Sequence, residues 1–130
     1  MISYVTGNLF DSDAQALVNT VNTVGVMGKG IALQFKEAYP DNYRIYRKAC
    51  KEGTLSVGQM LVTSVNDMYG GQERYIINFP TKTDWRKPSE YVYIEKGLKA
   101  LKSEIIERGI QSIASPPLGS SNGGLNWPRS

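Results

Sequence analysis

The passage from Val18 to Phe35 constrains the fold more than any other part of this chain. Ala16-Leu17-Val18 runs into Asn19-Thr20-Val21-Asn22, an apolar, β-branched stretch of the kind that lies buried in a sheet. Gly25-Val26-Met27-Gly28-Lys29-Gly30 follows, and Ile31-Ala32-Leu33-Gln34-Phe35-Lys36 opens a helix. Such a loop brings backbone N–H groups to the positive end of a helix, where phosphate binds well. Glycine, lacking Cβ, permits close approach to the main chain. The spacing Gly-x-x-Gly-x-Gly is neither the dinucleotide-binding fingerprint nor a P-loop. It suits a tight structural turn equally well.

Asn19 and Asn22 lie near the carboxyl end of that strand, where ligands of open α/β sheets sit. A carboxamide can both donate to and accept from a ribose hydroxyl. The same residue type also makes Asx turns that cap loops.

The remaining pattern alternates strands with helices. Ile2 to Thr6 reads as a short strand and Asp11-Ser12-Asp13 as a turn or helical start. Pro40-Asp41-Asn42 ends the first helix and starts a second, which runs through Cys50 to a stop at Gly53. Gln59 to Ser64 and Arg74 to Phe79 read as strands, with Gly70-Gly71 turning between them. Ile94, Leu98, Leu101 and Ile105 form one apolar stripe in a helix from Glu90 to Arg108, which Ser89 can cap at its start and Gly109 at its end. Ile110 to Ala114 is a last strand. The expected fold is α/β, one domain over residues 1–130, with a mixed central sheet flanked by helices in three layers. Gly123-Gly124-Leu125-Asn126-Trp127-Pro128 reads as the opening of a further helix, so the chain is expected to be truncated at its C-terminus.

Three more segments invite a functional reading. Asn78-Phe79-Pro80-Thr81-Lys82 is a strand end with a polar tail. A lysine can form a covalent adduct with an aldehyde-like carbon once its pKa is lowered, although an arbitrary lysine is usually a solvated surface group. Pro116-Pro117-Leu118-Gly119-Ser120-Ser121-Asn122-Gly123-Gly124-Leu125 is a second glycine-rich loop after a strand, and two such loops at one sheet edge can clamp a pyrophosphate. Trp85-Arg86-Lys87 places an aromatic ring beside two cations, a combination that stacks a base and contacts phosphate, or simply makes a surface turn.

Composition narrows the chemistry. The chain has 130 residues, a hydrophobic fraction of 41%, a charged fraction of 21% and a net charge of +3. That balance fits a polyanionic ligand or nucleic acid as well as an ordinary domain. There is no histidine, which removes Ser-His and Cys-His nucleophile pairs and the usual nitrogen ligands of zinc. The lone Cys50 forms no intramolecular disulfide and suits a reducing, cytoplasmic setting. No signal peptide or membrane-spanning run is legible. Neither a metal nor a cofactor is expected.

Thr6-Gly7-Asn8-Leu9-Phe10, Leu17 to Asn22 and Gly25 to Ala32 together resemble the macrodomains, an ADP-ribose-binding family. Asn78 to Lys82 and Pro116 to Trp127 are similar to the branch that holds DarG-type DNA ADP-ribosyl glycohydrolase antitoxins and the human terminal ADP-ribose protein glycohydrolase. The resemblance implies that Asn8 lies at the adenine and that Leu9 is among the residues that bind ADP-ribose. Many macrodomains carry an aspartate at the position of Asn8. It further implies Asn22 at the distal ribose and Gly28, Lys29, Gly30, Ile31 and Ala32 beneath the pyrophosphate, with Asn19, Gly25, Val26 and Met27 also among the residues that bind ADP-ribose. Thr81, Pro117, Leu118, Gly119 and Leu125 would also bind the ligand, Ser120 to Gly124 would form the opposing phosphate loop, and Lys82 with Asn22 would carry the catalysis. Trp85, Arg86 and Lys87 would meet DNA.

The human glycohydrolase pairs its lysine with an aspartate where this chain has Gly123, and no carboxylate lies between Ser115 and Ser130. Asp84 is near Lys82 in sequence only. Asn-Gly-Gly at 122–124 is typical of the antitoxin branch, although Ser120 stands where a cysteine is common. The resemblance therefore implies removal of ADP-ribose from thymine in single-stranded DNA, with a DNA-modifying ADP-ribosyltransferase toxin as partner. Removal of ADP-ribose from protein carboxylates, ADP-ribose reading without catalysis, and general nucleic-acid binding are the competing readings.

Overall fold

The computed structural model describes residues 2–4, 14–28, 30–66, 73–83 and 91–116. Expectations for the turn at Asp11 to Asp13, the Gly70-Gly71 turn, Ser89 and the segment after Pro116 lie outside them.

The described elements run β1 (Ile2–Tyr4), β2 (Ala16–Asn22), α1 (Gly30–Ala38), α2 (Pro40–Glu52), β3 (Leu61–Asn66), β4 (Glu73–Lys82), α3 (Tyr91–Arg108) and β5 (Ile113–Ser115). They build one five-stranded sheet in the order β1-β5-β2-β4-β3. The first four strands of that order are parallel, and β3 joins β4 antiparallel.

β2 is central and its Ala16, Leu17 and Val18 are wholly buried. Alternation along the strand sends these side chains to opposite faces. Ala16 and Val18 pack with Ile77, Phe79 and the α3 residues Ile94, Leu98, Leu101 and Ile105. Leu17 packs with Ile76 and Phe35 of α1, while Val21 meets Tyr46 of α2 and Met27. The sheet thus lies between α3 on one face and α1 with α2 on the other. The apolar stripe read in the sequence is the surface that α3 buries.

Local signals set several boundaries. α2 begins at Pro40, where a residue without N–H loses nothing, and ends on Gly53 at φ 72°. Gly109 ends α3 at φ 64°. The Ile110 N–H then bonds the Ile105 carbonyl, so β5 starts at Ile113 and not at Ile110. β3 likewise starts at Leu61, two residues later than expected, because Gln59 is held in a turn. Its N–H bonds the Ser56 carbonyl and its side chain accepts the Ser56 N–H.

β4 is longer than its sequence suggests and passes through Pro80. Its ladder with β3 stops at the Leu61–Asn78 pair. Beyond Asn78 the strand pairs on one side only, which tolerates a residue with no N–H to donate. No helix among the described residues is long and apolar enough to cross a membrane.

Candidate functional site

Four parallel strands deliver the chain to one edge of the sheet, so the segments after β1, β2, β4 and β5 all leave from their shared carboxyl ends. Two of these can be followed. A register shift between Val21 and Asn22 leaves Thr81 without a partner and sets Asn22 opposite Lys82. Bulges of this kind re-aim side chains beside functional sites. Thr81 is buried and Lys82 half-buried. The Thr23 hydroxyl donates to the Thr83 carbonyl at 2.9 Å, which ties the two strand ends together.

Asn22 organises the loop that follows it. Its Oδ1 accepts from the N–H groups of Val24 (3.1 Å), Gly25 (3.1 Å) and Val26 (3.2 Å). Its Nδ2 donates to the Val26 carbonyl at 2.9 Å. The Tyr46 hydroxyl, from α2, lies 2.8 Å from both the side-chain and main-chain oxygens of Asn22. Burial, and then the neighbouring Cys50, hold the Tyr46 phenol well above its ordinary pKa. Burial also raises the Cys50 thiol. Both groups stay protonated and uncharged at neutral pH, so Tyr46 remains a donor. Gly25 turns the loop at φ 90°, a left-handed conformation that costs other residues energy.

This geometry amends two expectations. The Asn22 carboxamide oxygen does not face outward, because the loop takes it up and leaves one Nδ2 hydrogen for a ligand. The N–H groups of Gly25 and Val26 also point inward, so they do not cradle an anion. Among the described residues, the N–H groups of Met27 and Gly28 take no part in the hydrogen bonds to Asn22, and those of the first turn of α1 precede any intrahelical partner.

Asn19 lies deeper. It is fully buried, with Nδ2 3.4 Å from Asn78 Oδ1 and 3.9 Å from the Met27 sulfur. It shapes the interior beneath the loop. Asn78 in turn exchanges two hydrogen bonds with Asn42 of α2. Asn42 Nδ2 donates to Asn78 Oδ1 (3.2 Å), and Asn78 Nδ2 donates to Asn42 Oδ1 (2.8 Å). Thr63 adds a hydroxyl donor to Asn42 Oδ1 at 2.7 Å. Asn19 Oδ1 is buried and has no hydrogen-bond partner among the described residues. Turning that carboxamide over would set two oxygens against each other at Asn78, so the orientation stands.

Met27 anchors the loop by burying its side chain, whereas Val24 and Val26 stay exposed at 49% and 42%. Asn8, Leu9, Lys29, Pro117 to Leu125, Asp84 and Trp85 to Lys87 lie outside the described residues, as does the side chain of Ile31. Asn42 and Tyr46 are the contributors that the sequence reading missed. Their signal was present, since both fall on the buried face of α2.

The macro domain family matches residues 18–130. This chain belongs to the macro domain family. As a macrodomain it is 56% identical over 128 residues to a DNA ADP-ribosyl glycohydrolase of Thermus aquaticus, covering 98% of this chain and 35% of that protein. The macrodomain therefore spans about a third of the length of this curated relative. Among solved structures it superposes on the macrodomain of Mycobacterium tuberculosis DarG with a TM-score of 0.88 and 54% identity, covering 98% of this chain and 82% of that one. It also superposes on Thermosipho africanus DarTG in complex with ADP-ribose, with a TM-score of 0.84 and 38% identity, covering 97% of this chain and 35% of that one. The expected macrodomain fold, with its mixed sheet between helical layers, is the fold observed.

Proposed function

We propose that this macrodomain binds ADP-ribose at the carboxyl edge of its parallel strands and hydrolyses the bond that joins it to thymine in single-stranded DNA. The observation that carries the reading is the pairing of Asn22 with Lys82 at the ends of two adjacent strands, under a loop whose remaining N–H groups lead into α1. Identity to DNA ADP-ribosyl glycohydrolases across nearly the whole chain supports it.

In this reading the diphosphate meets Met27, Gly28 and the start of α1, and the distal ribose lies over the Asn22–Lys82 pair. The bond broken joins the anomeric carbon to the base nitrogen. The base leaves with a proton, and ADP-ribose takes up the hydroxyl from water. Lys82 acts at the anomeric carbon, either as an amine that displaces the base and is then itself displaced by water, or by stabilising the carbon while the base departs and water adds. Asn22 positions the loop and offers one N–H to the sugar. An ADP-ribosyltransferase acting on DNA is the partner activity that would make the substrate.

The test compares wild type with Lys82→Ala on an oligonucleotide carrying ADP-ribosylated thymidine, beside a protein ADP-ribosylated on carboxylates. The expected result is release of ADP-ribose from DNA by wild type and its loss in the variant, with ADP-ribose binding retained. Unchanged turnover would remove Lys82 from the mechanism. Binding without turnover of either substrate would make the protein a reader.

A further inference from the structure

Helix α2 carries four cations, Arg44, Arg47, Lys48 and Lys51, and all four are exposed. At ~3.6 residues per turn they fall within one arc of about 100°, opposite the buried Asn42 and Tyr46. The arc borders the loop after β2. A Cβ built on Gly25 would lie 3.8 Å from Arg47 Cγ and 3.9 Å from Arg47 Cα.

The helix's own carboxylates lie on the other flank. Asp41 and Glu52 are turned about 120° or more from Arg47 around the axis. Asp41 pairs with Arg44 at 3.3 Å and Glu52 with Lys48 at 3.8 Å. Both pairs are exposed, and exposed pairs are weak and readily exchanged for another anion. Arg47 and Lys51, one turn apart, form no ion pair among the described residues. Lys36 of α1 adds a cation 4.7 Å from the centre of the Tyr43 ring. The stripe therefore passes the loop at Arg47, one residue from the Tyr46 that fixes Asn22.

We propose that this stripe is the track on which the phosphate backbone of the modified strand lies, with Arg47 nearest the ADP-ribose site and Lys51 beyond it. The proposal rests on the DNA reading above. The stripe fits a polyanion with regularly spaced charges, contacted without regard to base sequence. Exposed lysine and arginine side chains along one helix suit such a partner.

Two variants test it. Arg44→Ala/Lys48→Ala/Lys51→Ala removes exposed charge with a good helix former. Arg47→Met keeps the aliphatic stem beside Gly25 and removes its charge. The probe is an unmodified single-stranded oligonucleotide of about 15 nucleotides, read by fluorescence anisotropy across a salt series, since each lost phosphate contact lowers the log–log salt slope by about 0.7. The triple variant is expected to lose about 2 from that slope and at least tenfold in affinity at low salt. Its ADP-ribose binding by calorimetry is expected to stay at the wild-type value. KM for modified oligonucleotide should rise, while turnover of a modified mononucleotide should not change. Wild-type affinity and slope in both variants would overturn the proposal. So would a stripe whose loss weakens binding of an acidic protein partner and leaves the oligonucleotide untouched. If wild type binds the oligonucleotide through the stripe yet turns over no modified DNA, the catalytic reading fails and the track stands.

Discussion

The hydroxyl of Tyr46 stands 2.8 Å from two oxygens of Asn22, one on the side chain and one on the main chain. A helix on one face of the sheet thereby fixes the residue that shapes the ligand loop. Tyr46→Phe keeps the ring and removes the bridge. The loss of one buried hydrogen bond is expected to cost about 1 kcal/mol of stability. ADP-ribose affinity is expected to fall several-fold as the loop loosens. Denaturant titration and calorimetry measure the two effects. An affinity equal to wild type would show that the loop holds its shape without Tyr46.

The reciprocal carboxamide pair of Asn42 and Asn78 gives a second prediction. Asn42→Leu fills similar space but orphans the Thr63 hydroxyl and both bonds to Asn78. Each buried polar group left unpaired costs about 1–3 kcal/mol. Urea unfolding is expected to show a loss of several kcal/mol, and a double-mutant cycle with Asn78→Leu a strong coupling between the two positions. Additive losses would contradict the pairing.

Sequence and structure agree where the signal is local. Pro40 and Gly53 mark α2, and the stripe from Ile94 to Ile105 marks α3, because each depends on neighbours along the chain. The run from Ala16 to Asn22 reads as a strand for the same reason. The strand order does not emerge from such signals, since it is decided by which apolar faces meet. Pro80 hides the end of β4, because its place in a strand depends on where β3 stops pairing. At the site the glycine loop is visible and the identity of its donors is not. Asn22 reads as a ligand residue, but that Tyr46 and three N–H groups of the loop converge on its oxygen is not legible, because that convergence needs α2 docked in place.

Gly97 gives a prediction whose sign differs from ordinary helix propensity. In an exposed helix, alanine for glycine gains about 1 kcal/mol. Here a Cβ on Gly97 would overlap the ring of the fully buried Phe79. Overpacking of this kind typically costs about 1–3 kcal/mol, so Gly97→Ala is expected to be destabilising. Gly53→Ala separates this effect from backbone strain. Nothing lies near its Cβ, and its φ of 72° is the source of any loss. A stabilised Gly97→Ala protein would mean that α3 does not approach β4 so closely.

Alkaline pH supplies another test. The folded state holds the Tyr46 proton above the ordinary pKa of 10.0, chiefly through burial, and the Cys50 proton above 9.0. An unfolded chain releases these protons at their ordinary values and gains by doing so. Stability from both groups is therefore complete below about pH 9 and falls as pH rises through 9 to 10 and beyond. Tyr46→Phe is expected to flatten that fall in thermal melts taken from pH 8 to about pH 11. Equal slopes in both proteins would show that Tyr46 is not shielded.

β5 lies between β1 and β2, pairing with both although it is made last of the described strands. A growing chain on the ribosome therefore has β1 and β2 in hand long before the strand that joins them. Until residues 113–115 emerge, β2 offers a bare edge and β1 has no partner in the sheet. Such edges invite pairing with other chains. Translation that stalls between α3 and β5 should leave a nascent protein that needs chaperone cover.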